Sequence, residues 1–144
     1  MIEDDTIKLL RECDAGIEMG LAAFREVLDY TGSAQLKQIL TECQTEHREL
    51  KHRAGALLAE YHDDGKSPNP LARGMSWLKT GLMLAMDESD QTIAELMTDG
   101  GNMGVQSLTH YLNQYPAANE KAKALARSLI DSEERLVQNV RPFL

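Results

Sequence analysis

Between Leu36 and Tyr61 the chain places an apolar side chain at every third or fourth residue: Leu36, Leu40, Cys43, then Leu50, Ala54, Leu57 and Tyr61. This spacing keeps one face of a helix turned toward a core. One member of the stripe does not conform. Between Cys43 and Leu50 stands His47, inside Thr45-Glu46-His47-Arg48. A buried imidazole without a hydrogen-bond partner costs about 1–3 kcal/mol. The rest of the chain has to bring a hydrogen-bonding group, a carboxylate or a metal ion to the level of His47.

Three other stretches carry the same period. A first helix, predicted over residues 4–30, presents Ile7, Leu10, Asp14, Ile17, Leu21, Phe24 and Leu28, with Asp4 or Asp5 as N-cap. Thr31-Gly32 ends it with Gly32 as the expected C-cap, and Ser33 can cap a second helix over residues 33–62. So short a turn makes the two antiparallel neighbours. Counting back from Gly32 sets His47 level with Ile17, and so within about a turn of Asp14 and Glu18 at roughly 1.5 Å per residue. Turn formers crowd Asp63-Asp64-Gly65-Lys66-Ser67-Pro68-Asn69-Pro70. Residues 71–86, with Met75, Trp77, Leu78, Leu82, Met83 and Met86, read as a crossover helix, or as the first part of one long kinked rod running into the next element.

The third helix, over residues 90–114, has Ser89 or Asp90 as N-cap and presents Ile93, Leu96 or Met97, Leu108, Tyr111 and Tyr115. Gly100, Gly101 and Gly104 fall in its middle, each costing about 1 kcal/mol against alanine. They mark a close helix–helix approach, a bulge or a break. After Pro116 a fourth helix, over residues 118–141, presents Ala122, Leu125 or Ala126, Leu129, Glu133, Leu136 and Val140. A faint repeat links the halves: Met19-Gly20 recurs as Met103-Gly104, and Thr45-Glu46-His47-Arg48 as Ser132-Glu133-Glu134-Arg135. The repeat would align His47 with Glu134. The stripe selects Glu133 and has the more direct physical cause.

The expected fold is therefore all-α: one four-helix-bundle domain over residues 1–144, made of two antiparallel hairpins joined by a short crossover helix. At 144 residues the chain is long enough for a real core. Its net charge of −8 argues against nucleic acid or an anionic membrane as partner. Cys13 and Cys43 lie in apolar helical patterns with no CxxC spacing, which reads as small core residues in a reducing, cytoplasmic setting. No signal peptide or membrane-length apolar run is legible.

Each long helix but the third thus carries one inward polar residue: Asp14, His47 and Glu133, with Glu18 and Asp99 nearby. Carboxylates with an imidazole suit iron, manganese or zinc, so Asp14, Glu18, His47 and Glu133 are the candidate metal ligands. A bundle-core di-metal site uses a Glu from each of two helices and Glu-x-x-His from each of the other two. That set is absent. Residue i−3 of His47 is Gln44, the fourth helix offers Asp131-x-x-Glu134, and the literal match Glu49-Leu50-Lys51-His52 sits on a charged face that reads as solvated. The preferred reading is structural: Asp14 or Glu18 accepts a hydrogen bond from His47, and Glu133 meets a cation or water.

Several stretches also resemble a known group. Phe24-Arg25-Glu26, the Gly20-x-x-x-Phe24 spacing, Ser33-Ala34-Gln35-Leu36-Lys37, Leu71-Ala72-Arg73-Gly74-Met75-Ser76-Trp77-Leu78-Lys79 and the Gly100-containing segment are similar to uncharacterised bacterial four-helix-bundle proteins of the ferritin-like superfamily. The resemblance implies a ferritin-like bundle. Several ferritin-like families bind di-iron or di-manganese and act as oxidases, peroxide scavengers or iron stores. Where members of the group tend to carry acidic residues, this chain has Met19, Gly101 and Asn102. The resulting expectation is a ferritin-like bundle that is not an enzyme and needs no cofactor, used in stress or storage physiology through protein partners, with a homodimer as one arrangement. The alternative is an iron or manganese carboxylate–histidine bundle with redox or storage activity.

Overall fold

The computed structural model describes residues 2–63, 65 and 89–144. The predicted crossover helix over residues 71–86, Trp77 included, lies outside them. The described residues form four long helices and no strand: α1 (Ile2–Leu28), α2 (Ala34–Ala59), α3 (Asp90–Gln114) and α4 (Glu120–Asn139), followed by a short 3-10 turn at Arg141–Phe143. Among them no helix is long and apolar enough to cross a membrane.

Local chemistry sets the helix ends. Glu3, Asp4 and Asp5 fill the first turn of α1, where negative charge meets the positive end of the helix dipole. Ser33 caps α2 by accepting from the Leu36 amide, and Ser89 caps α3 by accepting from Thr92. The cap of α4 is Asn119, which accepts from Ala122, so that helix starts later than the predicted 118. The end of α1 also differs from expectation. Tyr30 and Thr31 amides donate to Val27 and Leu28 carbonyls, and the Thr31 hydroxyl donates to Val27 at 2.9 Å. The helix is closed without a left-handed Gly32, whose amide donates to Asp90 instead, at 2.9 Å. The end of α2 is a Schellman turn. The His62 amide donates to Ala59 and the Asp63 amide to Leu58, with His62 left-handed at φ 56°.

Helix α1 packs along α2, α3 packs along α4, and the two pairs meet mainly through α4 against α2 and α1. Contacts across the first pair run in opposite sequence order: Arg11 with Asp63, Asp14 with Lys51, and Gly20 beside His47. Two links hold the ends. Asp90 accepts from the Gly32 and Ser33 amides, both at 2.9 Å, which pins the start of α3 to the turn before α2. At the other end the Asn119 amide donates to Thr6 at 2.8 Å and its side chain donates to the Tyr61 hydroxyl at 3.2 Å. The chain thus leaves α2 at one end of the bundle and enters α3 at the other.

The interior is divided. One apolar cluster contains Leu9, Leu10, Ile17, Leu50, Leu58, Leu108, Leu125 and Leu129; a second contains Phe24, Leu36, Leu40, Ile93, Met97, Leu136 and Val140. On every helix the boundary between the two falls at one level: Gly20 on α1, His47 on α2, Gly101 and Gly104 on α3, Ser132 and Glu133 on α4. Helix α3 runs unbroken through Gly100–Gly104. Of the three readings of those glycines, close approach is the one realised, at Gly101 and Gly104 but not at Gly100.

Candidate functional site

The polar layer is built around His47, whose side chain has no solvent exposure. Its Nδ1–H donates to the Cys43 carbonyl one turn earlier at 2.9 Å, and its Nε2–H donates to Glu133 Oε1 at 3.1 Å. Cys43 Sγ lies 3.6 Å from Ser132 Oγ. The Phe24 ring meets the imidazole edge to face, with centroids 5.1 Å apart. Burial alone would push the imidazole pKa down. Its contact with the Cys43 side chain, whose Sγ lies 3.7 Å from Nδ1, and its hydrogen bond to Glu133, together with the negative charge of Glu133, outweigh that and raise it to about 10. At neutral pH His47 is an imidazolium, and both of its ring protons are donated.

Glycines create the space for this pair. A Cβ on Gly20 would stand 2.9 Å from His47 Cδ2 and 3.1 Å from Nε2. Across the layer, Gly104 faces Glu133: a Cβ there would lie 3.3 Å from Cδ. At Gly101 it would lie 2.6 Å from Val137 Cγ2 and 3.3 Å from the Glu133 carbonyl oxygen. Gly100, by contrast, has open space where its Cβ would be. The Met19-Gly20 and Met103-Gly104 pairs noticed in sequence therefore have one physical role. Each glycine lets its helix approach the polar residue carried by its hairpin partner.

The four candidate ligands are not one constellation. His47 and Glu133 are paired as described. Asp14 and Glu18 are gathered by Lys51, whose Nζ lies 2.8 Å from Asp14 Oδ1 and 2.7 Å from Glu18 Oε1. The sequence-based assignment of partners is thereby exchanged: Glu133, and not Asp14 or Glu18, accepts from His47, and a lysine meets the other two. The register explains the exchange. His47 sits beside Gly20 and Phe24, about one turn beyond Ile17, because the 29–33 turn consumes residues outside both helices. Glu133 likewise meets Gly101 and Gly104 rather than Asp99, which is exposed.

Lys51 was missed because it lies in the charged run Arg48–Arg53. Glu49 and His52 of that run are exposed, as expected, but Lys51 snorkels inward and is 37% exposed. The available signal was its position one turn after His47. Burial would depress its ammonium pKa, and hydrogen bonds to Asp14 and Glu18 reverse the sign and raise it. Cys13 and Cys43 are free and buried, as read from the sequence. Burial pushes the Cys13 thiol up to about 12, so it is an inert core group. Among the described residues no group of three or more His, Cys, Asp and Glu side chains is placed to hold a metal ion. In this arrangement both His47 ring nitrogens face acceptors, and Asp14 and Glu18 hold the Lys51 ammonium. No protein-family model matches the chain, and neither a curated protein nor a solved structure matches it.

Proposed function

We propose that the chain is a ferritin-like bundle, two antiparallel hairpins joined by a crossover, that performs no chemistry of its own and serves stress or storage physiology through protein partners in the cytoplasm. One observation supports this above the others: both protons of His47 are committed, to the Cys43 carbonyl and to Glu133. The layer offers no free imidazole to act as a base or ligand. Gly20, Gly101 and Gly104 are spent on close approach to His47, Val137 and Glu133. The ferritin-like part of the reading rests on the sequence resemblance and on the opposite ends at which α2 is left and α3 entered. The cytoplasmic part rests on two unpaired thiols. The simplest partner is a second copy of the chain.

The test is elemental analysis of protein purified without chelator, beside thermal melts with Fe(II), Mn(II) and Zn(II). The expected result is metal well below one equivalent and unchanged melting. A ligand of the folded state alone, at 100 times its dissociation constant, stabilises by about 2.7 kcal/mol, which a melt resolves. Stoichiometric iron or manganese, lost in His47→Ala, would favour the di-metal reading instead.

A further inference from the structure

Where the two hairpins meet, α2 and α4 bury mostly aliphatic side chains: Leu36, Leu40, Leu50 and Ala54 from α2, Leu125, Leu129, Leu136 and Val140 from α4. Surfaces of this kind fit one another in more than one pairing, because apolar character and roughly the right volume are enough for collapse but not for a unique arrangement. We infer that His47 and Glu133 are a recognition pair: they make the α1–α2 hairpin accept the α3–α4 hairpin with α4 beside α2, and reject both a second α1–α2 hairpin and a bundle with α3 in that place. This goes beyond the proposed function and does not depend on it.

Three features carry the inference. The first is that the hairpins are built alike. Each has a glycine in its first helix, Gly20 or Gly104, against the polar residue of its second, His47 or Glu133, and apolar clusters lie on either side of that level. Shape alone therefore separates them poorly. What differs is the polar residue itself, an imidazole on one hairpin and a carboxylate on the other. The second feature is a further charge pair across the same seam. Arg135 of α4 meets Glu46 of α2, so α2 presents its base inside and its acid outside, and α4 the reverse. The third is the alternative neighbour. At the level of His47, α3 has Gly101 and Gly104, and its nearest acid, Asp99, is exposed.

The wrong pairings each misplace a charge. With α2 against α2 of a second copy, His47 would face His47 and Glu46 would face Glu46. With α4 against α4, Glu133 would face Glu133. With α3 beside α2, His47 would be buried without a carboxylate, and Glu133 would lose its base. A buried charge without its partner is strongly destabilising, whereas a matched buried pair does little more than offset its own desolvation. The pair therefore acts more by penalising the wrong neighbour than by strengthening the right one. A single buried polar residue fixes register and partner number in coiled coils by the same means.

The experiment compares full-length variants by amide NMR and light scattering. The apolar double variant His47→Leu, Glu133→Met should keep its helix content but show more than one amide signal for residues such as Leu40 and Leu129, where wild type shows one, or a mass that rises with concentration. The charge-exchanged double variant His47→Glu, Glu133→His keeps one acid and one base across the seam. It should return to one signal per amide and the wild-type mass. If the apolar double variant does not fold, His47→Met, Glu133→Leu is measured in the same way. One signal per amide with the wild-type mass in a folded apolar variant overturns the inference. Several signals per amide in the charge-exchanged variant overturn it as well, because opposite charge would then not be what selects the neighbour.

Discussion

Replacing His47 with leucine separates a pair that stabilises the bundle from one that only tolerates its own burial. Leucine is close enough in bulk to fill the space against Phe24 and Gly20, so the main loss is electrostatic. Glu133, with a side chain 12% exposed, is left against Gly101 and Gly104 without its imidazolium. Removing one partner of a buried ion pair costs about 3–5 kcal/mol, and the residual exposure of Glu133 places the expected cost near the lower end. With a urea m-value of roughly 2 kcal/mol per molar, the unfolding midpoint followed by helix circular dichroism should fall by about 1.5 M. Glu133→Met alone should cost less, about 1–3 kcal/mol, because the stranded imidazole can shed its proton. The double variant His47→Leu, Glu133→Met removes both desolvation penalties and should match or exceed wild type, as buried pairs replaced by apolar groups commonly do. These figures imply a coupling energy of about 4–6 kcal/mol between the two sites, above the roughly 0.5–3 kcal/mol usual for contacting residues. A single His47→Leu cost under about 1 kcal/mol, or a double variant weaker than either single, would refute the reasoning.

The glycines of α3 give a paired test. Gly100→Ala meets nothing within 4 Å and should stabilise by about 0.5–1 kcal/mol through helix propensity, whereas Gly101→Ala must displace Val137 and press on the Glu133 backbone, costing about 1–3 kcal/mol in the same urea assay. His62→Gly should raise stability by about 1 kcal/mol, since a non-glycine residue at φ 56° carries roughly that strain. Asp90→Ala removes the acceptor for two amides and should abolish hydrogen-exchange protection at Gly32 and Ser33 while leaving the centre of α2 protected.

The helical part of the fold was legible because burial imposes its period directly on the chain. The α2 stripe is the clearest case: Leu36, Leu40, Cys43, His47, Leu50 and Ala54 are all buried. Glu133 was found by the same rule, and the rule correctly preferred it to Glu134, which is exposed. Pairing between helices was less legible, because it depends on how many residues a turn consumes. A shift of about one turn moved His47 from the level of Ile17 to that of Gly20, away from Asp14 and Glu18. Lys51 was hidden for a different reason. A long side chain can leave a charged face and still reach a buried carboxylate, and periodicity records where Cα lies, not where Nζ ends. The glycines announced a close approach but not its object. That required knowing that His47 and Glu133 stand opposite Gly20 and Gly104.

The central claim, that the buried centre of the bundle is an imidazolium–carboxylate pair, is tested most directly by nitrogen NMR of the His47 ring across pH. The folded pKa, about 10, lies above the ordinary histidine value of 6.5. The stabilisation from the pair is therefore fully present below about pH 6.5 and is lost as pH rises through about 10. The account predicts both ring nitrogens protonated at pH 7 and unchanged to about pH 9, while urea stability falls progressively from about pH 6.5 to about pH 10. A ring that titrates near 6.5, or that carries a single proton at neutral pH, would contradict it.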